Sequence, residues 1–264
     1  MKKKLQMIKI GYCFIVAAFM FVVFVSNSWT DIIPTLEETK KQDWFLKNIY
    51  ERQAYLCYMR VDAEGWFVER IEKTAQIKEL LKTSAQELLI PIFPTVFQPA
   101  PTAKLYYDTI LGSNIKKGDK VLVVGAGSGS DAWVAWLKSQ SPIYAIEINP
   151  MAIANTYATS HLARFEVRQI LGDIRSIDLP EDFHNFDFVL WHMPFIAGGD
   201  ILESKYHNGD DGSILKSFME LLPSLLKSNG QAIIRNDHMI SRFIPFPHVA
   251  ERGKHSTVYT ITNK

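Results

Sequence analysis

VLVVGAGSG, residues 121–129, decides the fold. Four aliphatic residues lead into Gly125, Gly127 and Gly129, so an apolar strand ends in a turn with three positions that lack a Cβ. Such a turn lets backbone approach a ligand, because glycine tolerates positive φ and presents no side chain. Ser128 or Ser130 is placed to cap a helix that starts near Asp131, and Trp133, Trp136 and Leu137 then fall on one apolar face at helical spacing. The outline is that of a nucleotide-type binding turn, and a glycine turn used only for packing would share it.

Downstream, strand and helix patterns alternate, the signature of parallel α/β winding. A second strand over Ile143–Ile148 ends at Glu147, 20 residues after Gly127. A carboxylate at the tip of a second strand can accept both hydroxyl hydrogens of a ribose. A third strand near Phe165–Ile170 runs into Asp173 and Ile174, where the aspartate either accepts from an exocyclic amine of a base or caps the following segment. The fourth, Phe186–Leu190, delivers Trp191, His192, Met193, Pro194 and Phe195 to the same rim.

These pieces, VVGAGSG at 123–129, AIEINPMAI at 145–153, LGD at 171–173 and FDFVLWHMPF at 186–195, resemble the class I S-adenosylmethionine-dependent methyltransferases in order and spacing. The likeness covers roughly Pro94 to the C-terminus and is greatest to the branch holding the glutamine N5- and adenine N6-methyltransferases, which carry N-P-P-Y or D-P-P-Y after the fourth strand. LLKSNGQAIIR at 225–235 is similar to the family's K-P-G-G-type turn and fifth strand, and STVYTIT at 256–262 to its antiparallel final strand.

The resemblance implies a Rossmann-like, seven-stranded, mostly parallel sheet and S-adenosylmethionine as cofactor. Gly125, Ala126, Gly127 and Gly129 would approach its methionine part, Glu147 its ribose, and Asp173 with Ile174 its adenine. His192 then stands at the family's Asn or Asp position, Met193 replaces the first proline, Pro194 keeps the second, and Phe195 keeps the aromatic; His192, Pro194 and Phe195 are the catalytic candidates. Neutral imidazole suits a hydrogen-bond acceptor or general base, and a hydrogen-bonded rim histidine without a chemical role is the alternative. Val123 is a second departure, standing where many relatives carry an acidic residue. Catalysis would consist of holding an unidentified acceptor in line with the sulfonium methyl. An aminopropyltransferase-like or nicotinamide-dependent enzyme, or a noncatalytic scaffold, are the competing readings; GxGxG rather than GxGxxG spacing speaks against the nicotinamide cofactor.

Three regions follow: 1–30, 31–93 and 94–264. Lys2, Lys3, Lys4 and Lys9 precede a run from Ile10 to Thr30 without a charged residue. As a helix this run spans about 30 Å, enough to cross a bilayer. We expect an uncleaved membrane anchor here, with a signal peptide as the rival. The lysines predict an exported domain by the positive-inside rule, whereas the supply of S-adenosylmethionine requires a cytoplasmic one. Residues 31–93 read as helical, with Asp62 capping a second helix after the break at Glu64 and Gly65. Prolines 91, 94, 99 and 101 mark the boundary with the α/β domain, and Thr102–Leu111 reads as a helix carrying Tyr106 and Tyr107. The net charge of +1 argues against bulk nucleic-acid binding, and two cysteines give neither a disulfide framework nor a metal quartet. His207 with Asp210 and Asp211 matches no metal-ligand spacing, so the stretch from Gly198 to Gly212 reads as a polar substrate loop.

Overall fold

The computed structural model describes residues 55–71, 86–93, 95–193, 213–236, 244–254 and 256–263. Its α/β part holds a seven-stranded sheet in the order β6-β5-β4-β7-β8-β10-β9. Strand β4 is Val121–Val124, β5 Ile143–Glu147, β6 Val167–Leu171, β7 Phe186–His192, β8 Leu226–Asn236, β9 His248–Arg252 and β10 Thr257–Thr262. Pairing is parallel from β6 through β8, and β10 lies antiparallel between β8 and β9. The antiparallel final strand is therefore where the motif order implies. The order in which the strands are added reverses between β4 and β7, which opens a crevice at the carboxyl ends of these strands.

Alternation along the strands sends their residues to two cores. Val121 and Val123 point with Ala145, Leu190 and Ile233 toward the face packed by helices α1 (Lys104–Gly112), α2 (Ser130–Ser139) and α3 (Pro150–Ala163). Leu122, Val124, Ile146 and Trp191 point to the opposite face, where α4 (Ser213–Leu225) contributes Leu215, Phe218, Met219 and Leu222. Val123, at the position where relatives carry an acidic residue, is fully buried in the first of these cores. The β7–β8 pairing shifts register between Phe186 and Phe188, and Asn229 at φ 66° turns the chain there; the stretch expected as a K-P-G-G-type turn is the bulged start of β8.

The expected helical segment is corrected wherever it is described. Residues 55–92 supply β1 (Tyr55–Asp62), β2 (Gly65–Ile71) and β3 (Gln86–Ile92), an antiparallel sheet in the order β2-β1-β3. Buried Cys57 and Met59 on β1, Trp66 and Val68 on β2, and Leu88, Ile90 and Ile92 on β3 repeat every second residue, the period of a half-buried strand. Asp62 accepts from the Glu64 amide in the hairpin turn instead of capping a helix, and Gly65 takes φ +96°. Pro91 is tolerated within β3 because the strand is an edge. Trp66 fastens this sheet to α1: its amide donates to Asp108 Oδ1 at 2.8 Å, and its ring lies 4.2 Å from that of Tyr107. The membrane anchor proposed for residues 10–30, and residues 31–54 of the helical region, lie outside the described residues. Among the described residues no helix is long and apolar enough to cross a membrane.

Candidate functional site

The glycine turn leaves β4 with Gly125 at φ 67°, Gly127 at 55° and Gly129 at 82°, all in the left-handed region that favours glycine. The three serve different ends. A Cβ on Gly125 or Gly127 would find its nearest neighbours 3.9 and 3.8 Å away, ordinary contact without crowding. A Cβ on Gly129 would sit 2.9 Å from Thr159 Cβ and 3.0 Å from Thr156 Cα. Gly129 thus lets α3 pack closely and serves as the left-handed N-cap of α2. The expected serine cap is absent: Gly129 occupies the cap position and no side chain bonds there. Ser128 Oγ donates instead to Ser130 Oγ, and Ser130 Oγ shares a hydrogen bond with the Tyr107 hydroxyl. Ala126 turns its methyl into the core, leaving only backbone for a ligand.

Glu147, at the end of β5, braces this turn. Its Oε2 accepts from the Gly127 amide at 2.9 Å and its Oε1 from the Asn149 amide at 2.8 Å. Burial raises the carboxyl pKa, and the backbone amides oppose that rise. An ionised carboxylate has about four lone-pair sites, so two amide bonds leave acceptor capacity for a diol. Asn149 also caps α3 through Met151, ahead of Pro150 in the first turn, and its Nδ2 holds the Thr95 carbonyl. Asn155 binds the Phe93 amide, the Pro91 carbonyl and the Ser128 carbonyl, tying the end of β3 to the glycine turn.

Asp173 follows β6 on the same rim. Both its oxygens accept from the Arg175 guanidinium, Oδ1 takes the Arg175 amide, and its carbonyl takes the Ser176 and Ile177 amides. Asp173 therefore caps a turn, not the helix that the sequence suggested, and Ile174 packs its side chain against the second core.

His192 ends β7 directly opposite Arg235 of β8. Arg235 Nη1 meets His192 Nε2, while Arg235 Nε donates to Ser256 Oγ at 2.9 Å and Nη2 to the Thr102 carbonyl at 3.1 Å. Burial, with the guanidinium charge beside it, lowers the His192 pKa to about 3, so the ring is neutral at physiological pH. Of the two nitrogens that an acceptor or general base at His192 could use, Nε2 faces an arginine donor. Pro194 and Phe195, the other two catalytic candidates, lie outside the described residues, as do the loop 198–212 and Asp237 with His238. Among the described residues no group of three or more metal-ligating side chains is present.

A buried polar cluster beneath the site was not legible in the sequence. Asp131, in the first turn of α2, accepts from the Tyr107 hydroxyl at 2.6 Å and from the Tyr106 hydroxyl at 3.3 Å. Burial lifts its pKa to about 6, against the pull of those hydrogen bonds and of Arg235. Tyr106 also sets its ring 5.3 Å from that of His192. One aromatic side chain therefore touches both the helix that starts at the glycine turn and the rim histidine. The two tyrosines were visible as pocket or core candidates, but nothing local pairs them with Asp131.

Comparison with known proteins agrees with this geometry. No family model matches the chain. Methyltransferase HEMK2 of Homo sapiens is 24% identical over 149 residues, covering 52% of this chain and 70% of that protein. In motif order and fold, the chain is similar to the class I S-adenosylmethionine-dependent methyltransferases. Among solved structures, a T. thermophilus 16S rRNA N2 methyltransferase, RsmC, in complex with AdoMet and guanosine, is similar at TM-score 0.55 and 16% identity. The match covers 68% of this chain and 48% of that one, so the methyltransferase-like part here spans about half of that protein's length. The ribosomal protein L11 methylase from Lactobacillus delbrueckii subsp. bulgaricus is similar at TM-score 0.50 and 19% identity, over 64% of this chain and 81% of that one. In such a methyltransferase fold the crevice between β4, β5 and β7 is the place for a ligand, and the open glycines and Glu147 lie at its mouth.

Proposed function

We propose that the protein binds S-adenosylmethionine at the carboxyl ends of β4, β5 and β6 and transfers its methyl group to an acceptor held beside His192. The observation that carries the reading is the joined arrangement of Gly127 and Glu147. The carboxylate fixes the turn through the Gly127 amide, and a Cβ on Gly125 or Gly127 would meet nothing closer than ordinary van der Waals contact. These residues fit the cofactor: open backbone for the methionine part and a buried carboxylate for the ribose hydroxyls. Asp173 and Ile174 border the adenine side. When bound, the cofactor supplies an electrophilic sulfonium methyl, so the protein's own task is placement and exclusion of water. Glu147 orients the ribose, and the Asn149 and Asn155 hydrogen bonds keep residues 91–95 against the turn so that the geometry does not drift. Pro194 and Phe195 complete the acceptor side in this reading.

The acceptor is tested for by incubating the purified full chain with methyl-labelled S-adenosylmethionine and fractionated cell extract. Label is expected to enter one fraction with the native chain and to be absent with Glu147→Ala. Equal labelling by both proteins contradicts the assignment of Glu147.

We further propose that residues 10–30 anchor the chain in a membrane with the methyltransferase part on the cytoplasmic side, where its cofactor is made. The lysine pattern favours the opposite orientation. Protease added outside intact cells should leave the C-terminus uncut; cleavage would place the domain outside and remove its cofactor supply.

A further inference from the structure

We propose that Arg235 is a positioning residue that locks His192 as the neutral tautomer protonated on Nδ1, so that the rim presents a ring that takes no proton through Nε2. Strand pairing brings the two residues together: β7 and β8 run parallel, and His192 and Arg235 are partners at their ends. Arginine has only N–H donors and stays protonated, so the nitrogen it meets has to be an acceptor. That nitrogen is Nε2, and a neutral imidazole with an acceptor Nε2 carries its hydrogen on Nδ1.

The guanidinium is itself fixed. Only 4% of Arg235 is exposed, and Ser256 Oγ and the Thr102 carbonyl hold two of its other nitrogens. It cannot swing away without breaking the buried bond to Ser256 and the half-buried one to Thr102. Among the described residues, the Arg235 cation from β8 and Tyr106 from α1 face the ring, with Asp131 of α2 beyond the Tyr106 hydroxyl. Protonating Nε2 would set one donor against another and add a second cation beside the first. Burial first, and the Arg235 charge second, hold the His192 pKa down. In the amino-methylating branch that the motif order resembles, an Asn or Asp at this position accepts from the target nitrogen. Here the equivalent lone pair is turned toward the protein. The consequence for catalysis rests on the methyltransferase reading; the tautomer does not.

The test uses the full chain with its seven histidines labelled with nitrogen-15. His192 is assigned from the signals missing in His192→Asn, and long-range proton–nitrogen spectra report which ring nitrogen is protonated. The native chain should show His192 protonated on Nδ1 alone, unchanged between about pH 5 and pH 8, well below its ordinary titration near pH 6.5. Arg235→Gln should move the His192 titration upward, with burial still holding it below that value, and should let the hydrogen appear on Nε2. Arg235→Lys, which keeps the charge but loses the planar fork, should give a mixture of tautomers. A native chain with the hydrogen on Nε2, or with His192 titrating near its ordinary value, overturns the lock. Titrating S-adenosylmethionine into the same sample separates the two claims: a locked tautomer without cofactor binding supports the lock and removes only the methyltransferase reading.

Discussion

Two alanines placed two residues apart in one turn, at 127 and 129, should fail in different ways. Gly127→Ala and Gly129→Ala each put a Cβ on a left-handed backbone, at φ 55° and φ 82°, which costs roughly 1–2 kcal/mol. At Gly127 that is the whole expected cost to the fold, because the new methyl meets nothing closer than 3.8 Å. At Gly129 the methyl meets Thr159 and the α3 backbone at Thr156, at 2.9 and 3.0 Å. Neither the helix backbone nor a β-branched side chain yields easily, and such overpacking adds about 1–3 kcal/mol. Gly129→Ala should therefore lose about 2–5 kcal/mol in urea unfolding, against about 1–2 for Gly127→Ala. Binding should rank the other way. Gly127→Ala fills space that the cofactor needs and should weaken S-adenosylmethionine by at least about tenfold, or 1.4 kcal/mol. Gly129→Ala, where it remains folded, should bind within about threefold of the native chain. Equal stability losses, or undiminished binding by Gly127→Ala, would refute the division of labour within the turn.

Other outcomes follow from the same contacts. Glu147→Gln keeps the shape but sets a side-chain NH2 against one of the two backbone donors, at Gly127 or Asn149, so it should cost about 1–3 kcal/mol in unfolding free energy and more than tenfold in cofactor affinity. Trp66→Ala should cost about 3–5 kcal/mol, measured by urea denaturation, because the ring is buried between the three-stranded sheet and Tyr107. His192 sets a pH dependence: its folded pKa of about 3 lies below the unfolded value near 6.5, so the unfolded chain takes up the extra proton and native stability falls as pH drops through that window. Asp131 acts with the opposite sign, since its folded pKa of about 6 exceeds the unfolded value near 3.9 and its burial disfavours the native state as pH rises through that range. His192→Gln should therefore gain stability relative to the native chain by about 1.4 kcal/mol per pH unit between about pH 6 and pH 4, and parallel stability curves would contradict the low His192 pKa.

What the sequence disclosed was whatever is encoded locally. Four aliphatic residues before a glycine triplet, a carboxylate 20 residues on, and Asn149-Pro150 at a helix start are short-range signals, and each occupies the position they indicate. The division among the glycines was hidden because it depends on Thr156 and Thr159, a full strand and helix away. Arg235 was hidden likewise, since its partnership with His192 depends on the register of β8 after a bulge that no spacing rule fixes. Residues 55–92 misled for a different reason: apolar residues at loose three- and four-residue intervals suggested helices. The two-residue repeat through Trp66 and Val68, and the glycine closing the Asp62 turn, were there to be weighed and identify a hairpin.

The central claim is that a buried carboxylate and an open glycine turn make an S-adenosylmethionine site. Calorimetric titration of the purified full chain with S-adenosylmethionine tests it most directly. One cofactor per chain is predicted, with the heat abolished by Glu147→Ala while that variant still unfolds cooperatively. A cooperatively folded native chain that releases no heat at any cofactor concentration, and whose unfolding the cofactor does not shift, would contradict it.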